Sequence, residues 1–375
     1  MLMVGSSGRN TGKTDLACAL AARFGAGRPL LAVKVTTVQD RNNVCPRGGK
    51  GCGVCTSLED THSIVEEKNA GNRKDTERLL AAGAQKVLWL RVMKEHLREG
   101  ASALLECIGP ESLTICESNS LRTVVEPAVF LMVQGSDQME WKASAEAVRE
   151  YVDRHVTFNG DRFDLDPDDV GIVDGSWAVR LEASAVILAG GRGARMGRDK
   201  GSLPVGKRTM LEHIAAQLAP HFEQLLVSTS GPADSALPRA KVVVDRVSGQ
   251  GPLMGIASTL EASPHDFNLF VACDIPDIDM AFVRRLLRAA RGHDAAVPVT
   301  PDGRLEPLLA VYREGFLGPA REALDAGKRR VRDAFDACTV NYVPLEDVDW
   351  LRNLNTPEEY AAFLAQGAAK NRENR

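Results

Sequence analysis

Residues 186–205 read VILAGGRGARMGRDKGSLPV. An apolar run ends in two glycines, and the loop that follows carries Arg192, Arg195, Arg198 and Lys200. Between 192 and 208 six basic residues stand against one acid. Such a charge run is ordinarily a solvated face. This one directly follows the carboxyl end of a strand, where open α/β sheets bind their ligands. Glycine lets backbone come close to a ligand. The stretch therefore predicts the start of an α/β unit that holds something strongly negative. It is not a Walker loop, because no Gly-Lys-Thr opens a helix.

Downstream, the alternation of strands and helices continues. QLLVSTS (224–230), KVVVD (241–245), NLFVACD (268–274) and DAAVPVT (294–300) read as strands. MLEHIAAQLAPHF (210–222) reads as an amphipathic helix, and further helices are expected over 251–262, 279–291, 316–326 and 357–365. GQGPLMGIASTL (249–260) puts glycines at a helix start, and Asp245 ends the strand before it. ACDIP (272–276) puts Asp274 at another strand end. A lone strand-end Asp is usually a cap or turn residue. Two beside a glycine–lysine loop suit a magnesium ion, which prefers hard oxygen ligands.

Upstream, the chain opens with a second glycine-rich loop, GSSGRNTGKT (5–14). Residues 7–14 match G-x-x-x-x-G-K-[ST] except that Ser7 stands at the first glycine. LMVGS (2–6) reads as the strand before it and KTDLACALAARF (13–24) as the helix after it. In that context Gly8, Asn10, Thr11, Gly12, Lys13 and Thr14 would cradle phosphates at a helix N-terminus, with the Thr14 hydroxyl on Mg²⁺. The alternative is a glycine-rich turn followed by a helix-start lysine. An acid from a neighbouring strand is needed for the metal shell. Glu117, ending LTICE, is the first candidate and Asp75 the second. No N-K-x-D motif reads guanine here. PLLAVKVTT (29–37), KVLWLRV (86–92), SLTICES (112–118) and PAVFLMVQG (127–135) complete a parallel sheet covered by helices on both faces.

The expected organisation is two α/β domains, 1–176 and 184–368, with the boundary near Ser176–Ala183 in an acidic, weakly periodic stretch (157–183), and 369–375 a frayed tail. The chain has 375 residues, 44% hydrophobic and 26% charged, with a net charge of −4. That charge offers no global basic field for nucleic acid. No apolar run reaches the roughly 20 residues that span a bilayer. MLMVG leads straight into a loop without a basic n-region, so a cytoplasmic protein is expected.

Of eight cysteines, Cys18, Cys107, Cys116, Cys273 and Cys338 read as small buried hydrophobes kept reduced. CPRGGKGCGVC spaces Cys45, Cys52 and Cys55 as C-x6-C-x2-C. The C-x2-C end suits zinc or an iron–sulfur cluster, with Asp40, His62 or a cysteine of a second subunit completing the set. A loop with free thiols is the other reading.

The first half resembles the MobB family of GTP-binding accessory proteins in SGRNTGKT, NRKDTERLLAAGA (72–84) and ICESNS (115–120). The resemblance implies a P-loop NTPase-type sheet that binds nucleotide and hydrolyses it weakly. The second half, from about 184 to 364, resembles the MobA family of molybdenum cofactor guanylyltransferases in LAGGRGARMGRDKGSL, GPLMGI, ACDIP, EPLLAVY (306–312), RRVRDAF (329–335) and NLNTPEEY (353–360). It implies a doubly wound, Rossmann-like nucleotidyltransferase that moves GMP from Mg·GTP to molybdopterin, in its molybdenum or tungsten form, and releases pyrophosphate. By that resemblance Leu188, Ala189, Gly190 and Gly191 line the nucleotide. Lys200 and Arg195 hold the triphosphate, Asp245 and Ser228 contact the nucleotide, and Asp274 ligates Mg²⁺. The family more often has the longer Asn at the position of Ser228. Asn355 caps the last helix or reaches a ligand on the pterin side. A CTP- or sugar-phosphate-specific transferase remains the alternative within the class. A GTP-binding carrier that delivers cofactor to molybdoenzyme apoproteins is the alternative outside it.

Overall fold

The computed structural model describes residues 1–38, 58, 60–110, 112–136, 140–189, 200–231, 237, 240–346 and 348–373. The chain divides into two compact units, Met1–Val179 and Arg180–Arg375.

In the first unit the strands are β1 (Leu2–Ser6), β2 (Leu31–Val38), β3 (His62–Glu66), β4 (Lys86–Met93), β5 (Thr114–Glu117), β6 (Val129–Gly135) and β7 (Arg154–Phe158). They form one sheet in the order β3-β4-β2-β5-β1-β6-β7. All neighbours are parallel except β3, which runs antiparallel to β4. The all-parallel expectation is corrected there. The strands that flank β1 are nearly continuous apolar runs because helices cover both faces. Leu2, Met3, Val4 and Val129 to Val133 are buried. The helices are α1 (Lys13–Gly25), α2 (Asp75–Ala81), α3 (Leu97–Ile108) and the single turn α4 (Ala143–Glu146). Cys107, expected among the buried cysteines, is exposed on α3.

The stretch 157–183 carries the end of β7 and a hairpin of β8 (Val170–Val173) and β9 (Ser176–Val179). The turn of the hairpin uses Asp174 and Gly175, both at positive φ (49° and 77°), as an Asp-Gly hairpin requires. Trp177 on β9 is 2% exposed and meets the Phe24 ring edge-on at 4.9 Å.

In the second unit the strands are β10 (Leu181–Leu188), the short pair β11 (Pro204–Val205) and β12 (Arg208–Thr209), β13 (Phe222–Thr229), β14 (Ala240–Val244), β15 (Asn268–Ala272), β16 (Ala295–Val299), β17 (Leu309–Tyr312) and β18 (Val340–Pro344). The main sheet has the order β14-β13-β10-β15-β17-β16-β18. Here β17 runs antiparallel to both neighbours, β15 and β16. The helices are α5 (Met210–Leu218), α6 (Pro252–Ala262), α7 (Met280–Ala289), α8 (Leu317–Asp325) and α9 (Pro357–Glu373). Thr209 and Glu212 form a capping box at α5, the reciprocal arrangement that satisfies two orphan amides. The chain leaves β10 towards β13 on one side and returns to β15 on the other. The carboxyl end of β10 is therefore a switch point of the strand order, where such sheets form a crevice.

Candidate functional site

In the second unit the register brings the strand ends together. Leu188, the last residue of β10, lies level with Ser228 on one side and Ala272 on the other. Ala189 N–H donates to the Ser228 carbonyl (2.9 Å) and Cys273 N–H to the Leu188 carbonyl (3.2 Å). Ser228 donates its hydroxyl to Asp245 Oδ1 at 3.3 Å. Gly255, on α6, faces this group: a Cβ there would lie 2.7 Å from Ser228 Oγ, 3.4 Å from Asp245 Oδ1 and 3.5 Å from Leu188 Cδ2. Only glycine fits at that position without displacing a neighbour.

Burial holds the Asp245 carboxyl above its usual range, and the Ser228 hydroxyl pulls it back in part. A raised folded-state value means the protonated carboxyl favours the fold. That contribution is complete below the ordinary carboxylate value and is lost as pH rises through the raised one. Asp245→Asn should accordingly melt at a higher temperature near pH 7, with the gain disappearing below about pH 4. Thermal melts at the two pH values check this, and a variant that melts lower near neutrality contradicts it.

A second cluster sits at the end of β15. Lys200 donates to Asp274 Oδ2 at 2.9 Å and to Asn355 Oδ1 at 3.0 Å. The backbone amide of Leu354 donates to the Asp274 carbonyl at 2.8 Å, which ties 353–355 to that strand end. Asn355 does not cap the last helix. Thr356 does, accepting from Glu359 N–H at 3.2 Å while Glu359 accepts from Thr356 N–H at 3.0 Å. Pro357 then takes the first helical position, where its missing N–H costs nothing. This leaves the Asn355 oxygen free to meet Lys200.

Glu306 belongs to the same cluster, although the sequence marks it only as part of EPLLAVY. The antiparallel register Asn268↔Tyr312 to Val271↔Leu309, carried past the strand ends, sets Glu306 across from Asp274. Glu306 is 8% exposed, with Arg304 Nη2 at 3.0 Å. Burial raises its carboxyl, Arg304 lowers it, and the charge of Asp274 raises it again. Gly190, Gly191, Arg195 and the rest of 190–199 lie outside the described residues.

The first unit brings its own expected residues together. Gly12 precedes α1 with φ at 81°, and Asn10 also has positive φ, 55°. Ser7 does not, and it is fully buried with its hydroxyl on the Val133 carbonyl (3.2 Å), so a glycine is not needed there. Thr14 donates to Glu117 Oε1 at 2.7 Å, and Lys13 Nζ lies 3.4 Å from the same oxygen. Lys34 on β2 lies 3.8 Å from Glu117 Oε2 and donates to Asp75. Burial raises the Glu117 carboxyl, but Lys13, Lys34 and Thr14 together bring it below its ordinary value. Two buried oxygens here have no hydrogen-bond partner among the described residues, Thr11 Oγ1 and Glu117 Oε2. Two residues that sequence reasoning missed brace the loop. Asn119 accepts from Ser6 N–H at 2.8 Å, and Lys142 donates to Ser6 Oγ at 2.8 Å and to the Gly8 carbonyl at 3.3 Å.

Cys45, Cys52, Cys55 and Asp40 lie outside the described residues. His62 is described, on β3, with Nδ1 3.1 Å from Thr61 Oγ1. Among the described residues no group of three His, Cys, Asp or Glu side chains is placed to hold a metal. No helix among them is long and apolar enough to cross a membrane.

A family profile described as the MobA-like NTP transferase domain matches residues 185–340. The probable molybdenum cofactor guanylyltransferase of Pelotomaculum thermopropionicum is 36% identical over 186 residues, 48% of this chain and 90% of that protein. The molybdenum cofactor guanylyltransferase of Vibrio parahaemolyticus is 32% identical over 48% of this chain and 95% of its own length. A solved structure, molybdopterin-guanine dinucleotide biosynthesis protein A from Archaeoglobus fulgidus, superposes with a TM-score of 0.44 at 23% identity, over 50% of this chain and 99% of that one. None of these matches bears on the MobB resemblance of residues 1–155.

Proposed function

From the premise that the chain belongs, through its second unit, to the MobA-like NTP transferase family and is a nucleotidyltransferase, we propose that it transfers GMP from GTP to molybdopterin. The terminal phosphate of molybdopterin attacks the α-phosphorus of GTP. One P–O bond forms, the bond to the β-phosphate oxygen breaks, and pyrophosphate leaves. The observation that carries this reading is the convergence of Lys200, Asp274 and Asn355 at the switch point of the sheet.

The chain's own residues position and neutralise. Leu188, Ala189, Ser228, Asp245 and Gly255 form the nucleoside side, with Gly190 and Gly191 continuing the loop. Gly255 lets α6 pack directly against Ser228, Asp245 and Leu188. Lys200 faces the triphosphate, and the family resemblance assigns Arg195 a share of that charge. Its ammonium already sits between two oxygens, so it is aimed before substrate arrives, and preorganised charge is the main source of rate in such reactions. Asp274 offers beside Lys200 a carboxylate, the hard oxygen donor that magnesium takes. When bound, that ion would neutralise the triphosphate and the departing pyrophosphate. The attacking phosphate is already anionic, so no strong general base is required.

For the first unit we propose a nucleotide-phosphate site at 8–14. Thr14 and Glu117 would meet magnesium and Lys13 the phosphates, on the strength of Thr14 and Lys13 converging on Glu117 Oε1 at the start of α1 (2.7 and 3.4 Å). The reading of the whole chain is tested by offering it molybdopterin with GTP and with CTP. Pyrophosphate should be released with GTP.

A further inference from the structure

Gln217 stands in the last turn of α5, and nothing in the proposed transfer uses it. Its side-chain amide reaches off the helix to the backbone of the loop that follows β15. Gln217 Nε2 donates to the Pro276 carbonyl at 2.8 Å, and Gln217 Oε1 accepts from Ile278 N–H at 3.1 Å. Nε2 also donates to the His213 carbonyl, one turn back in the helix, at 3.3 Å. A carbonyl only accepts and a backbone N–H only donates, so these partners fix which way round the amide sits. The stretch between β15 and α7 has no helix or strand of its own. Its buried backbone groups must find partners elsewhere, and Gln217 supplies both a donor and an acceptor.

That stretch carries Asp274. On its amino side Ile275 N–H donates to the Ala272 carbonyl (3.0 Å), and the Asp274 carbonyl accepts from Leu354 N–H (2.8 Å). The Ile275 side chain is 1% exposed. On its carboxyl side the loop is held by Gln217. The opposite end of α5 is tied to the other charged partner. Met210 N–H donates to the Leu203 carbonyl (2.7 Å), and Leu203 N–H to the Lys200 carbonyl (3.3 Å). One helix of nine residues, about 14 Å long, thus joins the turn that carries Lys200 to the loop that carries Asp274.

We propose that Gln217 is a positioning residue for the transfer: it clips the 276–278 backbone to α5 and so holds the Asp274 carboxylate in place against Lys200. This rests on the reading of Lys200 and Asp274 as the charge-handling pair of the site and adds the residue that sets their geometry.

The test is a double-mutant cycle on the full chain. It is read as pyrophosphate release from GTP with magnesium and molybdopterin, and as hydrogen exchange of the backbone over 272–280. Gln217→Leu keeps the bulk and removes the bonds. It should lower kcat about tenfold, as a small misplacement of a reacting group does, with the KM for GTP within about threefold. Exchange at Ile278 should quicken while β13 stays as it was. In an Asp274→Ala background the same substitution should change kcat less than about twofold, because the group it positions is gone. If the leucine variant does not fold, Gln217→Glu takes its place, since a carboxylate cannot donate to the Pro276 carbonyl. An unchanged kcat with faster exchange overturns the proposal, because the clip then holds the loop without setting the rate. Unchanged exchange overturns it as well, since the bonds then do not anchor the loop. An equal tenfold loss in the Asp274→Ala background also overturns it, since Gln217 then acts through something other than Asp274. If Asp274→Ala by itself leaves the rate untouched, or the unmodified chain releases no pyrophosphate, the reading of the site falls and takes the proposal with it.

Discussion

Replacing Lys200 or Asp274 with alanine is expected to slow guanylyl transfer by about 10²–10³-fold, the range found when a preorganised charge stabiliser is removed. The two residues act on one another. Asp274 and Asn355 fix the Lys200 ammonium at 2.9 and 3.0 Å, so Asp274→Ala removes a metal-fitting carboxylate and also frees the lysine from half its anchor. Effects of groups that act as a unit are not additive, so the double variant should be little worse than the poorer single one. The initial rate of pyrophosphate release from GTP in the presence of molybdopterin measures this. Near-normal rates in both single variants would place the chemistry elsewhere in the chain.

Phe316→Ala should cost the second unit about 3–5 kcal/mol, the usual loss when a buried phenylalanine leaves a cavity. Phe316 is 0% exposed and lies 4.4 Å from the Tyr312 ring and 6.1 Å from that of Phe335. Tyr312 in turn meets Phe270 on β15 at 5.6 Å and donates its hydroxyl to the Pro307 carbonyl at 2.8 Å. This ring cluster clamps the antiparallel β17 against β15, and that register is what sets Glu306 across from Asp274. Urea unfolding of residues 180–375 with and without the substitution gives the number. A loss below about 1 kcal/mol would mean the cavity collapses freely and the cluster is not what holds β17 in place.

Much of the fold could be read from hydrophobic runs ending in glycine or a carboxylate. β1, β15 and the second halves of β10 and β13 are buried, so each shows as a short, mostly apolar stretch. The strands that escaped reading have weaker signals. β3 (HSIVE) and β7 (RHVTF) are edge strands with polar residues throughout, and β17 has four residues behind a proline. The hairpin of β8 and β9 was legible in principle, since V-D-G-S is a strong turn signal. It was obscured by the acidic residues around it. At the candidate site, local motifs pointed to Lys200 and Asp274 one at a time. The bond between Lys200 and Asn355 joins residues 155 positions apart, and that from Lys142 to Ser6 spans 136. A single sequence carries no local signal for such contacts. Glu306 was hidden for a related reason, because its place opposite Asp274 follows from an antiparallel register that only the folded sheet displays.

The central claim is that the second unit moves GMP from GTP onto molybdopterin. The most direct test is the mass of the pterin product made by the full chain and by residues 180–375, each supplied with magnesium, molybdopterin and an equimolar mixture of GTP and CTP. Both proteins should add one GMP per molybdopterin, with one pyrophosphate released for each. A product carrying CMP, or a folded 180–375 fragment that adds nothing while the full chain does, would contradict it.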